Sequence, residues 1–277
     1  MPSDAAEAVR ALDAPPDAPS RAATSDLSID EALLLHAAGW EPVDLATGVA
    51  VWAMPYGTFF PPYGQNEPVE LVVASQATTE AFRAAGERLR EDCSRSGGAG
   101  VVGVDVEVDI GSTTAMVAFS GTAVRKMADG KPHPGRAFVT DLSTKDFVLL
   151  ERAGWEPVDL AYGASFVAAP YQRMRQVVAQ TVQNVELTNL TQALQDAREL
   201  AMERMQRAAT APGVAGVVDV SIIDGPLGHA RHALAFICWG TAVRLVASEH
   251  QRIEPELVLP LNDDTLAFEA ASLRSAR

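Results

Sequence analysis

The sequence predicts an α+β protein made of two tandem units, each ordered as short capped helix, strand, long helix, strand, strand. Three observations predict it. The stretch Ala38-Gly-Trp-Glu-Pro-Val-Asp-Leu-Ala-Thr-Gly48 returns as Ala153-Gly-Trp-Glu-Pro-Val-Asp-Leu-Ala-Tyr-Gly163, and Thr47 against Tyr162 is the single difference. A repeat at that spacing divides a chain of 277 residues into two units of ordinary domain size. Behind each copy the apolar pattern passes from a helical period to a pair of extended runs, which orders the elements as helix and then hairpin. Hydrophobic content of 48% and charged content of 21% suit a globular chain, and 6% aromatic content leaves the cores to Val, Ala and Leu. Two small cores are expected, one per unit.

Residues 1–26 hold Pro15, Pro16 and Pro19 among Ala, Asp and Ser, without hydrophobic periodicity, and are expected to be a disordered leader. The first unit, 27–126, opens where Ser28 and Glu31 stand in capping-box spacing before Ala32-Leu-Leu-Leu35, a short helix that should stop at Gly39. Ser143 and Asp146 before Phe147-Val-Leu-Leu150, with Gly154 as terminator, repeat the device. Glu41-Pro42 and Glu156-Pro157 favour extended backbone, so the strands Val43 to Trp52 and Val158 to Val167 should follow, with Gly48 and Gly163 at a bend or bulge. The copies diverge after Pro55 and Pro170; Phe59, Phe60 and Tyr63 are read either as an aromatic binding lip or as a plug for a neighbouring groove.

Val-Glu-Leu at 69–71 and 185–187 precedes the long helices. In the second, Leu190, Leu194, Ala197, Ala201, Met205 and Ala208 form an apolar stripe opposite Gln195, Glu199, Glu203 and Arg207, with Glu203 and Arg207 spaced to pair. Aligning Thr79-Glu-Ala-Phe82 with Thr191-Gln-Ala-Leu194 sets Gly86 against Arg198 and makes the first helix the weaker one. Two hairpins are expected, over Ala99 to Val124 with a turn at Ile110-Gly-Ser112, and over Ala215 to Arg244 with a turn at Asp224 to Gly228. A polar connector, 127–141, separates the units, and the second spans 142–247. The extension 248–277 carries Leu257 to Ala271, a strand and helix resembling Ala137 to Leu150, as though a third copy starts and stops.

A formal charge of −14 argues against nucleic acid or an anionic membrane as partner, since both demand a basic patch. Cys93 and Cys238 stand one per copy at unrelated positions, which fits a reducing, cytoplasmic setting; no apolar run of membrane-spanning length appears.

The helix Ala197-Arg-Glu-Leu-Ala-Met-Glu-Arg-Met205, followed by Ala215-Gly-Val-Val218 and Gly240-Thr-Ala-Val243, resembles the YbjQ family of heavy-metal-binding domains over about 154–245, and through the repeat over about 39–125. The resemblance implies dodecin-like β-α-β-β units, each a three-stranded antiparallel sheet packed on one long helix, and a homo-oligomer of five chains or a multiple of five. It supplies no catalytic residue. The fused second copy, the capped helix and the C-terminal fragment depart from single-domain members of the family.

Candidate chemistry is sparse. His229, His232 and Cys238 are the best metal cluster, but on an extended strand the two histidines point to opposite faces, and His232 and Cys238 lie about 20 Å apart. No metal-ligating set is therefore assigned; a metal ion or small ligand held between subunits stays open as an alternative. Asp105, Glu107 and Asp109 line one strand face as a solvated row, and Gly97-Gly-Ala-Gly100 precedes a strand where a phosphate loop should open a helix. Trp40 and Trp155 suit packing plugs better than platforms for a flat ligand. No catalytic residue and no cofactor is expected, and a cofactor site cannot be read. The expectation is a non-enzymatic, self-assembling scaffold.

Overall fold

The computed structural model describes residues 24–60, 66–127, 136–170, 186–211 and 213–251. The bulk of the leader, the Tyr63 loop tip, most of the connector and the C-terminal extension past 251 lie outside the described residues.

Both halves show the same order of short helix, strand, long helix and hairpin. In the first, α1 (Ile29–Ala37) starts on a complete capping box, the Glu31 amide donating to Ser28 Oγ and the Ser28 amide to the Glu31 carboxylate. It stops at Gly39, whose φ of 83° is open to glycine and closed to most side chains. β1 (Trp40–Ala53), β2 (Val69–Glu70), α2 (Val72–Arg95), β3 (Gly100–Ile110) and β4 (Thr114–Lys126) follow. Then come β5 (Phe138–Val139), α3 (Thr144–Arg152), β6 (Trp155–Ala168), α4 (Thr188–Ala208), β7 (Val214–Leu227) and β8 (Ala230–Leu245). The fold is mixed α+β, with two sheets in the orders β1-β4-β3-β5 and β2-β6-β8-β7.

In each sheet the long strands form an antiparallel trio, and a two-residue strand is added from elsewhere. Those short strands cross between the halves. β2, from the first half, pairs antiparallel with the end of β6, while β5, which precedes the second half, pairs parallel with the start of β3. The end of the connector, which resembles the extended run near the C-terminus, thus supplies a strand at Phe138–Val139.

Gly48 and Gly163 do not mark bulges. They face the long helices, and a Cβ at Gly48 would sit 2.6 Å from the Leu89 amide nitrogen, one at Gly163 2.8 Å from that of Met205. The repeat holds glycine because helix backbone rests on strand backbone there. These contacts also match Leu89 with Met205, so the earlier helix alignment is one turn out and Gly86 corresponds to Met202. The shared N-caps agree, Leu71 and Leu187 both having φ −86° and ψ 72°. α2 is also the longer helix, 24 residues against 21, and Gly86 is buried on it. On α4 the buried face is Ala193, Ala197, Ala201 and Met205; Leu190 and Leu194 are half-buried and Ala208 is exposed.

The second hairpin departs from expectation at its tip. β7 runs through Asp224 to Leu227, still paired with β8, and reverses at Gly228-His229. Pro226 is tolerated because β7 is an edge strand, whose outward amides need no ladder partner.

The cores expected one per unit are not fully separate: one apolar cluster crosses the halves, joining Phe82, Leu89, Val101 and Phe119 to Leu160, Phe166, Ile237 and Trp239. A second cluster lies under α4, and a third gathers Leu35, Trp40, Val102 and Phe147 beneath the short helices. Units this small bury little surface alone; the second keeps its own cluster under α4, and the shared cluster adds to what each buries by itself.

Candidate functional site

The most elaborate arrangement of side chains lies at the joint between the halves. Glu70 is brought by β2 to 2.6 Å from Arg204 of α4, and that arginine also donates to the Ala164 carbonyl. The Leu71 amide donates to the Phe166 carbonyl at 2.7 Å, and Phe166 returns its own amide to Ser75 Oγ at 3.1 Å. Phe82 of α2 stacks on Tyr162 of β6, centroids 4.9 Å apart, and Arg90 pairs with Asp159. Burial pushes the Tyr162 phenol up to about 12, so it stays protonated and serves as a surface to pack on.

The other edge of the joint runs along β5 into the cap of α3. Thr140 donates its amide to Val101 and accepts from Val104, both at 3.0 Å, and Gly103 donates to Leu142. Thr140 meets Thr241 of β8 at 2.8 Å, and the Thr241 hydroxyl donates to the Asp141 carboxylate at 2.5 Å. Burial raises the Asp141 carboxyl to about 6 despite that hydrogen bond.

Trp40 is a buried plug between Phe138 and Phe147, its Nε1 donating to Glu151 at 2.6 Å. Trp155 is only half-buried and donates to His250. One repeat tryptophan therefore packs as expected; its counterpart stands at a surface. Phe59 is likewise a plug, set against Phe166 and His229 in the other half of the same chain, whereas Phe60 is exposed.

The residues weighed for metal binding do not converge. His232 Nε2 lies 2.6 Å from the Phe59 carbonyl, His229 packs edge-on against the Phe59 ring, and Cys238 faces the core under α4. Burial lifts both thiols, Cys93 and Cys238, to about 11, which suppresses the thiolate that metals and electrophiles require. Among the described residues no three of His, Cys, Asp and Glu gather into a possible metal site. Asp105, Glu107 and Asp109 lie exposed on β3. Beside the joint is an open cleft of about 290 Å³ lined by Arg83, Arg90, Arg136, Asp159 and Tyr162, where the acid and Arg90 already neutralise each other. The geometry suits holding two sheets together.

Sequence reasoning missed the joint, although one signal pointed to it. The single mismatch in the eleven-residue repeat, Thr47 against Tyr162, is the residue that stacks on Phe82.

Two comparisons bear on this arrangement. Residues 160–246 match the model of the YbjQ family, described as "Putative heavy-metal-binding". The chain is also similar to the encapsulin nanocompartment protein Rv1762c of Mycobacterium tuberculosis, 36% identical over 247 residues that cover 86% of this chain and 92% of that protein.

Proposed function

The chain belongs to the YbjQ family, and from that premise we propose that it is a non-catalytic structural protein that assembles with copies of itself into a ring or closed particle in the cytoplasm. The observation that carries this reading is the relative's name, that of a nanocompartment protein, over nearly the full length of both chains. Physical support comes from the sheet edges. β1 and β7 are outer strands of the two sheets, and they expose Val49, Val51 and Trp52 on the first and Val218, Val220 and Ile222 on the second. An open apolar edge has to be paired or covered, and a second chain is the ordinary cover. Tandem units and a count of five chains, or a multiple of five, are the form that the family resemblance suggests. Among the described residues no helix is long and apolar enough to cross a membrane.

Native mass spectrometry of the purified full-length chain tests the proposal. Species at multiples of 29.4 kDa are expected, and closed rings or shells in negative-stain images. A single-chain mass at micromolar concentration overturns it.

A further inference from the structure

We infer that copies of this chain join head to tail through a contact that repeats, between chains, the joint already built between the two halves. The inference rests on the self-assembling reading above and names the surface it uses. Its basis is a correspondence of positions. β6 matches β1 with Phe166 at Val51 and Val167 at Trp52, because Trp40 and Trp155 open the two strands against equivalent partners, Lys126 and Leu245. α4 matches α2 with Glu186 at Glu70 and Arg204 at Arg88. Arg88 donates to the Val49 carbonyl as Arg204 does to that of Ala164, the matching residue of β6.

Within the chain, the strand ahead of the first long helix pairs with the end of β6, where Phe166 and Val167 are buried in clusters on opposite faces. The same place on β1 is bare, with Val51 58% and Trp52 39% exposed. The segment that would fill it exists once more in the chain: Val185-Glu186-Leu187 repeats Val69-Glu70-Leu71, and Glu186 is exposed just ahead of α4. Set on β1 of a second copy, it would bring Glu186 to Arg88 as Glu70 comes to Arg204. The charges are complementary and both side chains are exposed, Arg88 keeping its bond to Val49 as Arg204 keeps its bond to Ala164.

The second edge of the joint obeys the same rule. β7 matches β3, and the clearest sign is the shared bulge, where Asp219 has φ 55° and Gly103 φ 63°. On β3 the amides of Gly103 and Val104 are taken by Leu142 and Thr140. On β7 the corresponding residues Asp219 and Val220 stand on an open edge beside exposed Val218 and Ile222. The occupant is again present in sequence, since Arg21-Ala-Ala-Thr-Ser-Asp-Leu-Ser28 repeats Arg136-Ala-Phe-Val-Thr-Asp-Leu-Ser143. Asp26 already accepts from Thr122 of β4, as Asp141 accepts from Thr241 of β8. Its free edge is therefore directed as that of Thr140 and Asp141 is, toward the preceding unit. One contact satisfies both edges: the second half of one copy gives Glu186 to β1 of the next and receives residues 24–27 from it on β7. The aromatic stack is not repeated, because Arg198 and Thr47 stand where Phe82 and Tyr162 do, so the joint between copies is weaker than the one within. Being heterologous, it closes into a ring or runs on as a filament.

Charge exchange tests it in the full-length protein. Arg88→Glu and Glu186→Arg, each at an exposed position and each checked for native circular dichroism, should reduce the assembled mass to 29.4 kDa, and the double exchange should restore it. A Ser25→Cys, Val220→Cys double variant should form disulfides between copies under mild oxidation and run as dimers and longer ladders. If wild type assembles while the single variants keep its mass and no intermolecular disulfide forms, this contact is wrong and the scaffold reading survives. Failure of the double exchange to restore assembly overturns the Arg88–Glu186 pairing, and disulfides confined within one chain overturn residues 24–27 of a second copy as the cover of β7. A wild type that is a single chain overturns both readings.

Discussion

Asp141 is the residue on which pH acts most directly. Its carboxyl, raised from 3.8 to about 6 chiefly by burial, binds a proton more tightly in the folded chain than in the unfolded one. The folded state is therefore favoured below the unfolded pKa near 4, and that advantage, on the order of 3 kcal/mol, is lost as pH rises through about 6. Asp141→Asn cannot ionise yet still accepts from Thr241. Urea denaturation should find the variant more stable than wild type by about 1–3 kcal/mol at pH 8 and nearly equal at pH 4. An unchanged slope between pH 4 and 7 in the variant would sink the assignment. Nothing in the local sequence marks this carboxylate, because Asp26 occupies the same motif; the burial comes from β8 and β3 closing on it from opposite sides. The tryptophans teach the same lesson. Their sequence surroundings agree almost fully, and only Trp40 has Phe138 and Phe147 beside it, since those aromatics arrive with the following unit.

Among the elements, the strand and long helix of each half form the rigid pair, and the repeat glycine sets their distance. Gly163→Ala should push Met205 and Ala201 off β6 and destabilise the protein by about 3 kcal/mol or more, because the obstacle is helix backbone that cannot rotate aside. Gly216→Ala, where a Cβ meets nothing within 4 Å, is the control and should change the thermal midpoint by no more than a degree or two. Equal shifts in the two variants would refute the close-approach argument. The existence of these elements was legible from repeats, caps and periodicity, including the Ser28 box, the Gly39 stop and the Glu203–Arg207 pair at 2.5 Å. Their partners were not. β2 and β5 are two residues long, below any periodic signal, and they carry much of the connection between halves.

For the whole molecule, the shared core predicts interdependence. Residues 1–135 and 136–277 expressed separately should lose most of their cooperative thermal transition and bind a hydrophobic dye. Expressed together they should regain one transition, because Phe82 and Leu89 lie in the same cluster as Leu160 and Trp239. Two fragments that each melt sharply alone would show that the halves are independent domains. The sequence by itself determined the elements, their order and the fact that a motif occurs twice, because caps, glycine stops and apolar periodicity are local and are written within a few residues of one another. It also carried, in Tyr162 against Thr47, the single change within the eleven-residue repeat, and that change falls on the joined face. Which edge each short strand covers, which of two like tryptophans is buried and where Asp141 loses its water were decided only by the tertiary structure. Each of these depends on groups brought together from about 40 to about 110 residues apart in the chain, and no local pattern records such a meeting.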